Sequence, residues 1–233
     1  MVAIATTFVG TATAVLALAS SRNIWQTFSL CRAHSNHVHE SSAFLSLFED
    51  VEVSNEDQVL TTLQSLPRRD LIKLFLSSTA PSNVQNIQGE WNGILLKNNA
   101  VLTTVTRFLT NGLFGKGRKW NGKAFYDNLV GANRFQSNSE SEQSEKEHRF
   151  DYSIAMSKLD PSSSCVNLNY SNYQSLLSLW KTMADELRVL PLSKECPIEV
   201  LICMGCMDWS GGILNASPFC LWRYRYHKVN QSE

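Results

Sequence analysis

The sequence predicts a mainly β protein in which about eight antiparallel strands close into a barrel, preceded by two or three short helices. Three observations predict this fold. After Ala80-Pro81 the spacing of apolar residues changes from the helical period to the alternation typical of strands. The alternating segments are short and follow one another at hairpin spacing. Closure into a barrel removes the unpaired edges that an open sheet would expose.

Composition and charge limit the function before any motif is considered. The chain has 233 residues, with 21 Lys and Arg against 21 Asp and Glu, and therefore no net charge. Without a basic field to attract phosphate, nucleic acid is not an expected partner. Hydrophobic residues make up 43%, and 6 cysteines are too few for a disulfide scaffold. Composition thus indicates an ordinary folded domain and leaves the oligomeric state open.

Residues 1–40 are expected to be a targeting leader and linker. The uncharged N-terminal run ends in Ala17-Leu18-Ala19, a small-x-small pattern that a signal peptidase accepts. No acidic residue precedes Glu40, which is typical of organelle transit peptides. A plastid-type or mitochondrial organelle, or a secretory lumen, is therefore the expected location. A membrane anchor and a plain helical N-terminus are the alternatives.

Residues 41–80 are predicted to form a helical preface, in which Pro67 ends one helix and begins the next. We expect these helices to pack on the barrel and to do no chemistry. The apolar residues at helical spacing are Phe44, Leu45, Phe48, Val59, Leu60, Leu63, Leu66, Leu71, Ile72, Phe75 and Leu76.

Residues 81–233 are predicted to form the barrel. Ile87–Lys97 and Val101–Leu109 are predicted to be a hairpin closed by Asn98-Asn99, because Asn tolerates the left-handed conformations of tight turns. The further predicted strands are Lys119–Tyr126, His148–Ser157, Cys165–Tyr170, Glu186–Pro191, Ile198–Met207 and Pro218–His227.

Two stretches interrupt the alternating pattern. Residues 137–147 contain no apolar side chain and are predicted to be a disordered loop. Tyr173–Ala184 has Leu, Trp and Met side chains on a helical stripe, which predicts one extra helix before the last three strands.

Two motifs combine tryptophan with glycine. In Gly89-Glu90-Trp91-Asn92-Gly93, alternate residues share one face of a strand, so the two glycines leave space on either side of the indole. Trp91 is therefore expected to plug one end of the barrel. The segment from Trp120 to Phe125, W-N-G-K-A-F, repeats the combination of an aromatic residue and a glycine.

These motifs resemble the GXWXG domain, a family that is largely uncharacterised and commonly carries a second domain with a D-x-F-R element, a Gly-x-Met-Asp and a closing aromatic strand ending in Arg. Similar elements occur here in the same order, across about residues 86–225, with Leu187 where an aromatic residue is typical. The resemblance implies no established catalytic residue, and none is predicted. The matching elements are Asp185-Glu186-Leu187-Arg188, Gly205-Cys206-Met207-Asp208 and Phe219-Cys220-Leu221-Trp222-Arg223. The residues expected to have structural roles are Gly89, Trp91, Gly93, Trp120, Asp185, Arg188 and Arg223.

A more distant similarity is to lipocalins, whose first strand starts with G-x-W and whose barrel end is closed by an Arg over that Trp. This resemblance implies that Arg223 or Arg225 lies over Trp91 in a cation–π contact. The alternative is that both arginines are solvated residues at the edge of the sheet.

Strand parity predicts which side chains face the lumen. One row in the fourth segment runs from Phe150 to Met156, and similar rows occur in the last two segments, although Phe219 and Leu221 leave both faces of the last one open. A packed core would show the same pattern, so an open cavity and a filled barrel are both retained. The predicted ligand-binding residues are Trp91, Phe125, Phe150, Tyr152, Ile154, Met156, Ile202, Trp222 and Tyr224.

Cysteine and histidine patterns favour neither a metal site nor a cofactor. Cys203 and Cys206 are three residues apart and so face opposite ways on a strand, which favours buried small hydrophobes. His34, His37 and His39 lie in a Ser-rich stretch without a Cys partner and are interpreted as solvated linker residues.

The predicted function is the binding or carriage of a small apolar ligand, such as a lipid, pigment or isoprenoid, oriented by a polar group such as Tyr152. One alternative is an enzyme that uses Asp185, Arg188, Asp208 or Tyr152 as acid/base groups inside the barrel. The other is a noncatalytic assembly module with a filled barrel at a membrane. The basic turn Phe114–Lys119 is interpreted as a flexible hairpin tip, with peripheral contact to acidic lipids as the alternative.

Overall fold

The computed structural model describes residues 20–34, 56–136, 145–175, 178–208 and 212–225, and these contain a closed antiparallel barrel. Eight strands within these ranges follow one another around the barrel in sequence order, and the last pairs with the first. The predicted fold class is confirmed. The strands are β1 Gly89–Leu95, β2 Trp120–Phe125, β3 Val130–Phe135, β4 Glu145–Met156, β5 Ser164–Asn169, β6 Met183–Val189, β7 Ile198–Met207 and β8 Ser217–Tyr224.

Four α-helices accompany the barrel in the described ranges. The first, α1, covers residues 20–34, and α2 and α3 follow at Glu56–Ser65 and Arg68–Ser77. Pro67 stands at the N-cap of α3, as the sequence predicts, since its fixed φ suits a helix start. The fourth, α4, covers Ala100–Arg107 and continues as a π-helical turn over Phe108–Phe114. No helix of the described residues is both long and apolar enough to cross a membrane.

The barrel wall carries an apolar layer on each side. Inside lie large side chains such as Trp91, Phe150 and Leu201, which belong to one buried cluster. Outside, alternate residues of β7 and β8 form a second cluster with the buried faces of α2 and α3. The helical preface therefore packs on the outer wall, as expected. It makes the outer face of these strands as apolar as the inner one.

One predicted strand is wrong. Val101–Leu109 is α4 and the start of the π-helical turn, not the second half of a hairpin. Asn99 does not sit in a tight turn. Its side chain accepts a hydrogen bond from the Leu102 N–H at 2.9 Å and so caps α4. Val and Thr suit strands, but here the cap and the helical spacing of the apolar residues decide the structure.

The second strand of the first hairpin is instead β2, and β3 at Val130–Phe135 was not predicted. The predicted helix over Tyr173–Ala184 is replaced, in its described part, by 3₁₀ turns at Ser171–Tyr173 and Leu179–Thr182, and β6 begins at Met183. Residues 145–147 of the predicted loop belong to β4. The remainder of that loop, residues 1–19 of the leader and residues 35–55 lie outside the described residues.

Candidate ligand pocket

One end of the barrel is sealed by Trp91 and Arg223. The Trp91 indole is buried, and its Nε1–H donates to the Ile87 carbonyl at 2.7 Å. The Arg223 guanidinium lies 4.2 Å from the indole centre, so Arg223 has the cation–π contact that the lipocalin resemblance implies. Arg223 also donates to the Asn86 carbonyl at 2.7 Å and pairs with Glu199 at 2.8 Å. These contacts hold the guanidinium across the barrel end.

Aromatic side chains fill the lumen behind this seal. Phe125 makes edge-to-face contacts with Phe150 at 5.5 Å and with Tyr152 at 5.1 Å between ring centres. Gly131 in the neighbouring strand is needed here, because a Cβ on it would lie 2.2 Å from the Phe150 ring. This half of the barrel is therefore a packed core.

Gly93 makes room for the indole of Trp120, and not for that of Trp91 as predicted. A Cβ on Gly93 would lie 2.4 Å from the ring of Trp120, so the glycine lets that ring lie flat against β1. The two motifs thus meet across the β1–β2 pair, and Trp120 separates the filled half of the lumen from the open half.

The other half of the lumen holds a cavity of about 570 Å³. Its walls come from the inner faces of the strands, and its cover comes from α4, the π-helical turn and the start of α1. Most of the lining is apolar. The lining includes Leu95, Val105, Thr110, Trp120, Lys123, Asn133, Asp185, Gly205 and Phe219.

The cover is fixed to the wall at several points. The Thr106 and Ser217 hydroxyls lie 3.0 Å apart, which joins α4 to β8. Asn23 on α1 donates to Asn98 at 2.8 Å and accepts from Asn99 at 3.2 Å, so α1 is tied to the corner that precedes α4. The cavity is thereby bounded by both helices.

A bulge in β2 turns a lysine into the lumen. The pairing of β2 with β3 shifts register between Trp120 and Gly122, so Trp120 and Lys123 face the same side. Gly122 has φ +140°, and a Cβ there would lie 1.9 Å from the Trp91 carbonyl oxygen. Only glycine fits this position without displacing β1. The W-x-G-K spacing therefore encodes the bulge that places Lys123.

Lys123 is paired at the floor of the cavity. Its Nζ lies 2.9 Å from Asp185 Oδ2, and it donates to Asn133 Oδ1 at 2.8 Å and to the Tyr170 hydroxyl at 2.6 Å. The hydroxyl of Tyr170 donates in turn to Asp185 Oδ2 at 2.9 Å. Burial, and then the Asp185 carboxylate, raise the pKa of Tyr170 well above its ordinary value, so Tyr170 stays neutral.

None of the nine predicted ligand-binding residues, all of which the structure describes, lines this cavity. Trp91, Phe125, Phe150 and Tyr152 face the lumen but lie in its filled half. The Tyr152 hydroxyl is held by the Tyr126 carbonyl at that end.

Ile154 and Met156 were predicted to face the lumen but are 39% and 57% exposed. They lie beyond Asp151, the last residue of β4 that pairs with β3, where the wall is no longer closed on that side. Ile202, Trp222 and Tyr224 have the opposite parity from the prediction and lie on the outer wall, Tyr224 with 57% exposure. The helices covering that wall give it the same apolar pattern as the lumen.

Of the acid/base candidates, Asp185 lines the cavity and the others do not. Arg188 lies on the outer wall, where it pairs with Asp160 at 3.2 Å and donates to the Leu76 carbonyl at the end of α3. Asp208 is exposed. A strand places residues 185 and 188 on opposite faces, so the two side chains do not meet in one site.

Sequence reasoning missed Lys123, Asn133 and Tyr170. Together with Asp185, these side chains form the polar floor of the cavity. The available signal for Lys123 was the glycine before it, which marks a bulge within a strand. Asn133 and Tyr170 carried no comparable signal, because single polar side chains in short strands are common on exposed faces.

The structure also shows the surroundings of the basic turn, the cysteine pair and the histidines. Two cations of the basic turn, Lys116 and Arg118, pair with Glu147 at 3.5 and 2.8 Å, which leaves less charge for lipid headgroups. Cys203 lies in the inner cluster and Cys206 in the outer one, so their side chains diverge as predicted, and burial raises the pKa of Cys206 to about 12. Among the described residues no His, Cys, Asp and Glu side chains form a group that could hold a metal. His34 lies in α1, not in a solvated linker, and its Nε2 is 3.8 Å from Asp160 Oδ2, whereas His37 and His39 are outside those residues.

Comparison with known proteins adds little to this picture. No family model and no curated protein matches the sequence. A solved structure titled "Crystal structure of protein from Thermomonospora curvata" aligns with a TM-score of 0.48 and 13% identity, over 75% of this chain and 100% of that one. A likeness of this degree carries no inference about function.

Proposed function

We propose that this protein binds and carries a small, mainly apolar molecule in the open half of its barrel. The observation that supports the proposal is the cavity of about 570 Å³ under α4. Cavities of roughly 300–1,000 Å³ lined by apolar side chains are typical of small-molecule sites. Affinity would come from apolar ligand area removed from water, at about 25 cal/mol per Å².

The ligand is expected to enter at the end of the barrel that the helices cover, because the opposite end is sealed. The end at Trp91 is closed by Arg223 and by the aromatic side chains behind it. The cavity is instead covered by α4 and α1, which are helices outside the wall and not strands within it. Movement of these helices would open the cavity without breaking the pairing of the strands.

Two further proposals follow from the sequence. Gly93, Trp120, Gly122 and Lys123 form one connected site, which supports kinship with the GXWXG domain. The N-terminal pattern supports function in an organelle or secretory lumen after cleavage that follows Ala17-Leu18-Ala19, which leaves α1 in place.

Binding of 1,6-diphenyl-1,3,5-hexatriene tests the carrier proposal, because this hydrocarbon fluoresces in apolar surroundings and makes no hydrogen bonds. We expect saturable binding of one molecule per chain. Val105 lines the cavity from α4, so Val105→Trp should fill it and weaken binding at least tenfold. Thr104, the preceding residue, is exposed, so Thr104→Trp is the matched control and should bind like the wild type.

The proposal fails if the wild type shows no saturable binding, or if the two variants lose binding equally. Circular dichroism establishes that both variants are folded. Organic extraction of natively purified protein, followed by mass spectrometry, should then identify a reproducible apolar molecule.

A second candidate, an enzyme, is supported by one observation. Lys123 and Asp185 are buried, ionisable and adjacent, and both line the cavity, which is the arrangement that acid/base catalysis needs. Incubating the extracted ligand with fresh protein distinguishes the two candidates. An unchanged mass supports carriage, whereas a product that Lys123→Met does not form supports catalysis.

A further inference from the structure

We infer that the ligand carries an uncharged hydroxyl group, and that this group donates a hydrogen bond to Asp185 Oδ1. The inference rests on the proposed ligand-binding function and names the class of ligand: an apolar alcohol. It follows from the hydrogen bonds of the polar floor, in which one acceptor is left over.

The donors of the floor are already used. The Lys123 ammonium has three protons, and it lies 2.6–2.9 Å from three oxygens, those of Tyr170, Asn133 and Asp185. The Tyr170 hydroxyl donates its proton to Asp185 at 2.9 Å. Trp120 Nε1 donates to Asn133 Oδ1 at 3.2 Å, and the two protons of the Asn133 amide go to the His148 carbonyl at 3.3 Å and to the Tyr170 hydroxyl at 3.4 Å. A ligand carbonyl or carboxylate would find each of these protons taken.

One acceptor, in contrast, is unused. Both contacts to the Asp185 carboxylate go to Oδ2, while Oδ1 accepts no hydrogen bond from the part of the chain that the structure describes. Asp185 is 1% exposed, so bulk solvent does not supply a hydrogen-bond partner for Oδ1. A buried oxygen without a partner costs about 1–3 kcal/mol, and a donor on the ligand would recover this free energy.

Gly205 leaves space beside this oxygen. Both Gly205 and Asp185 line the cavity, and a Cβ on Gly205 would lie 2.7 Å from Asp185 Oδ1. Any side chain there would press on the carboxylate and close its approach. The glycine thus keeps Oδ1 next to the cavity.

The charge of the floor selects against ionic ligands. Lys123 and Asp185 neutralise each other, and Tyr170 is neutral because its pKa is raised. A carboxylate ligand would meet Asp185 without a free donor, and an ammonium ligand would approach Lys123. A neutral hydroxyl needs neither compensating charge nor a change in the floor.

Competition against bound 1,6-diphenyl-1,3,5-hexatriene tests the inference with three ligands that share one ring: cyclododecanol, cyclododecanone and cyclododecane. We expect cyclododecanol to displace the probe at a concentration at least tenfold lower than the other two. Equal displacement by the alcohol and the ketone would overturn the inference and leave the carrier proposal standing. Failure of the probe to bind the wild type would overturn both.

Two variants place the effect at Asp185. Gly205→Ala should bind the probe but lose the preference for cyclododecanol, because its Cβ blocks Oδ1. Asp185→Asn offers an amide donor and should shift the preference towards cyclododecanone. Thr104→Val, which removes an exposed hydroxyl outside the cavity, is the control and should keep the wild-type preference. If Gly205→Ala binds the probe and still prefers the alcohol, Oδ1 is not the acceptor and the inference is wrong.

Discussion

Arg188 joins the helical preface to the barrel through contacts of a single buried side chain. It is 0% exposed, donates to the carbonyls of Phe75 and Leu76 at the end of α3, and pairs with Asp160 at 3.2 Å. Carbonyls at a helix C-terminus lack partners within the helix, so a guanidinium is well placed to satisfy them. Asp160 compensates the charge that this arrangement buries.

Replacing Asp160 should give a stability loss that depends on pH. Burial would raise the pKa of Asp160, but hydrogen bonds from Ser162 and Ser163 and the Arg188 guanidinium outweigh burial and lower it. The carboxylate therefore stabilises the fold above the ordinary Asp pKa of about 3.9, and this stabilisation is lost as the pH falls through the lower folded value. Asp160→Asn should cost about 3 kcal/mol at pH 7.

Urea denaturation at several pH values measures this effect. The difference in unfolding free energy between wild type and Asp160→Asn should narrow as the pH falls below about 4. A difference that stays constant across this interval would contradict the assigned role of the carboxylate.

Arg223 should matter more to stability than Arg225, although the two lie close together at the end of β8. Arg225 donates to the Ser193 and Lys194 carbonyls at 2.8 and 2.9 Å, whereas Arg223 also covers the Trp91 ring. Lysine keeps the charge but not the planar fork, so Arg223→Lys should cost about 1–2 kcal/mol. Arg225→Lys is the control and should cost less, as judged by thermal unfolding. Equal losses would show that the indole contact contributes nothing.

The sequence allowed Trp91 and its arginine to be predicted as the closure of one barrel end. It did not allow the residues of the pocket to be predicted. Trp91 was identifiable because a tryptophan between two glycines is a distinctive pattern, and the lipocalin similarity implied its arginine. The polar floor was not identifiable, because the partners of Lys123 come from β3, β6 and the residue after β5. Such contacts depend on strand register, which residue types alone do not fix.

At the scale of elements, β2 depends on its bulge, and Gly122→Ala tests this. Gly122 has φ +140° and faces the Trp91 carbonyl at close range, whereas Gly117 has φ +85° with nothing within 4 Å of an added Cβ. Gly117→Ala should therefore show backbone strain alone, about 1–2 kcal/mol. Gly122→Ala adds a clash with β1.

Urea denaturation measures the unfolding free energy of both variants. We expect its decrease from the wild type to be more than twice as large in Gly122→Ala as in Gly117→Ala. It should also lose binding of 1,6-diphenyl-1,3,5-hexatriene, because loss of the bulge would displace the Trp120 ring from the cavity lining. Equal stability losses in the two variants would mean that the bulge relaxes without harm.

Element prediction succeeded where one face of a segment was apolar and failed where packing or capping decided the outcome. β7 was predicted with its observed bounds, yet its inner face was assigned wrongly because α2 and α3 cover the outer one. β3 was missed because Gly131 and Asn133 face inward there, so the expected alternation of large apolar residues is absent.

At the scale of the whole molecule, filling the cavity should stabilise the fold. A ligand at 100 times its dissociation constant adds about 2.7 kcal/mol to the unfolding free energy. For a chain of this length that corresponds to a rise of roughly 5–10 °C in the melting temperature. Differential scanning calorimetry with cyclododecanol should detect this rise in the wild type and no rise in Val105→Trp. An equal rise in both proteins would place the alcohol elsewhere.

The pairing of β1 with β8 determines when the cavity comes into existence during synthesis. β1 can pair with β2 soon after both leave the ribosome, but its other edge has no partner until Ser217–Tyr224 has been made. Until then the nascent sheet has two open edges, to which chaperones can bind. On the proposed binding function, ligand would therefore enter only after synthesis is complete, and the barrel would first form empty.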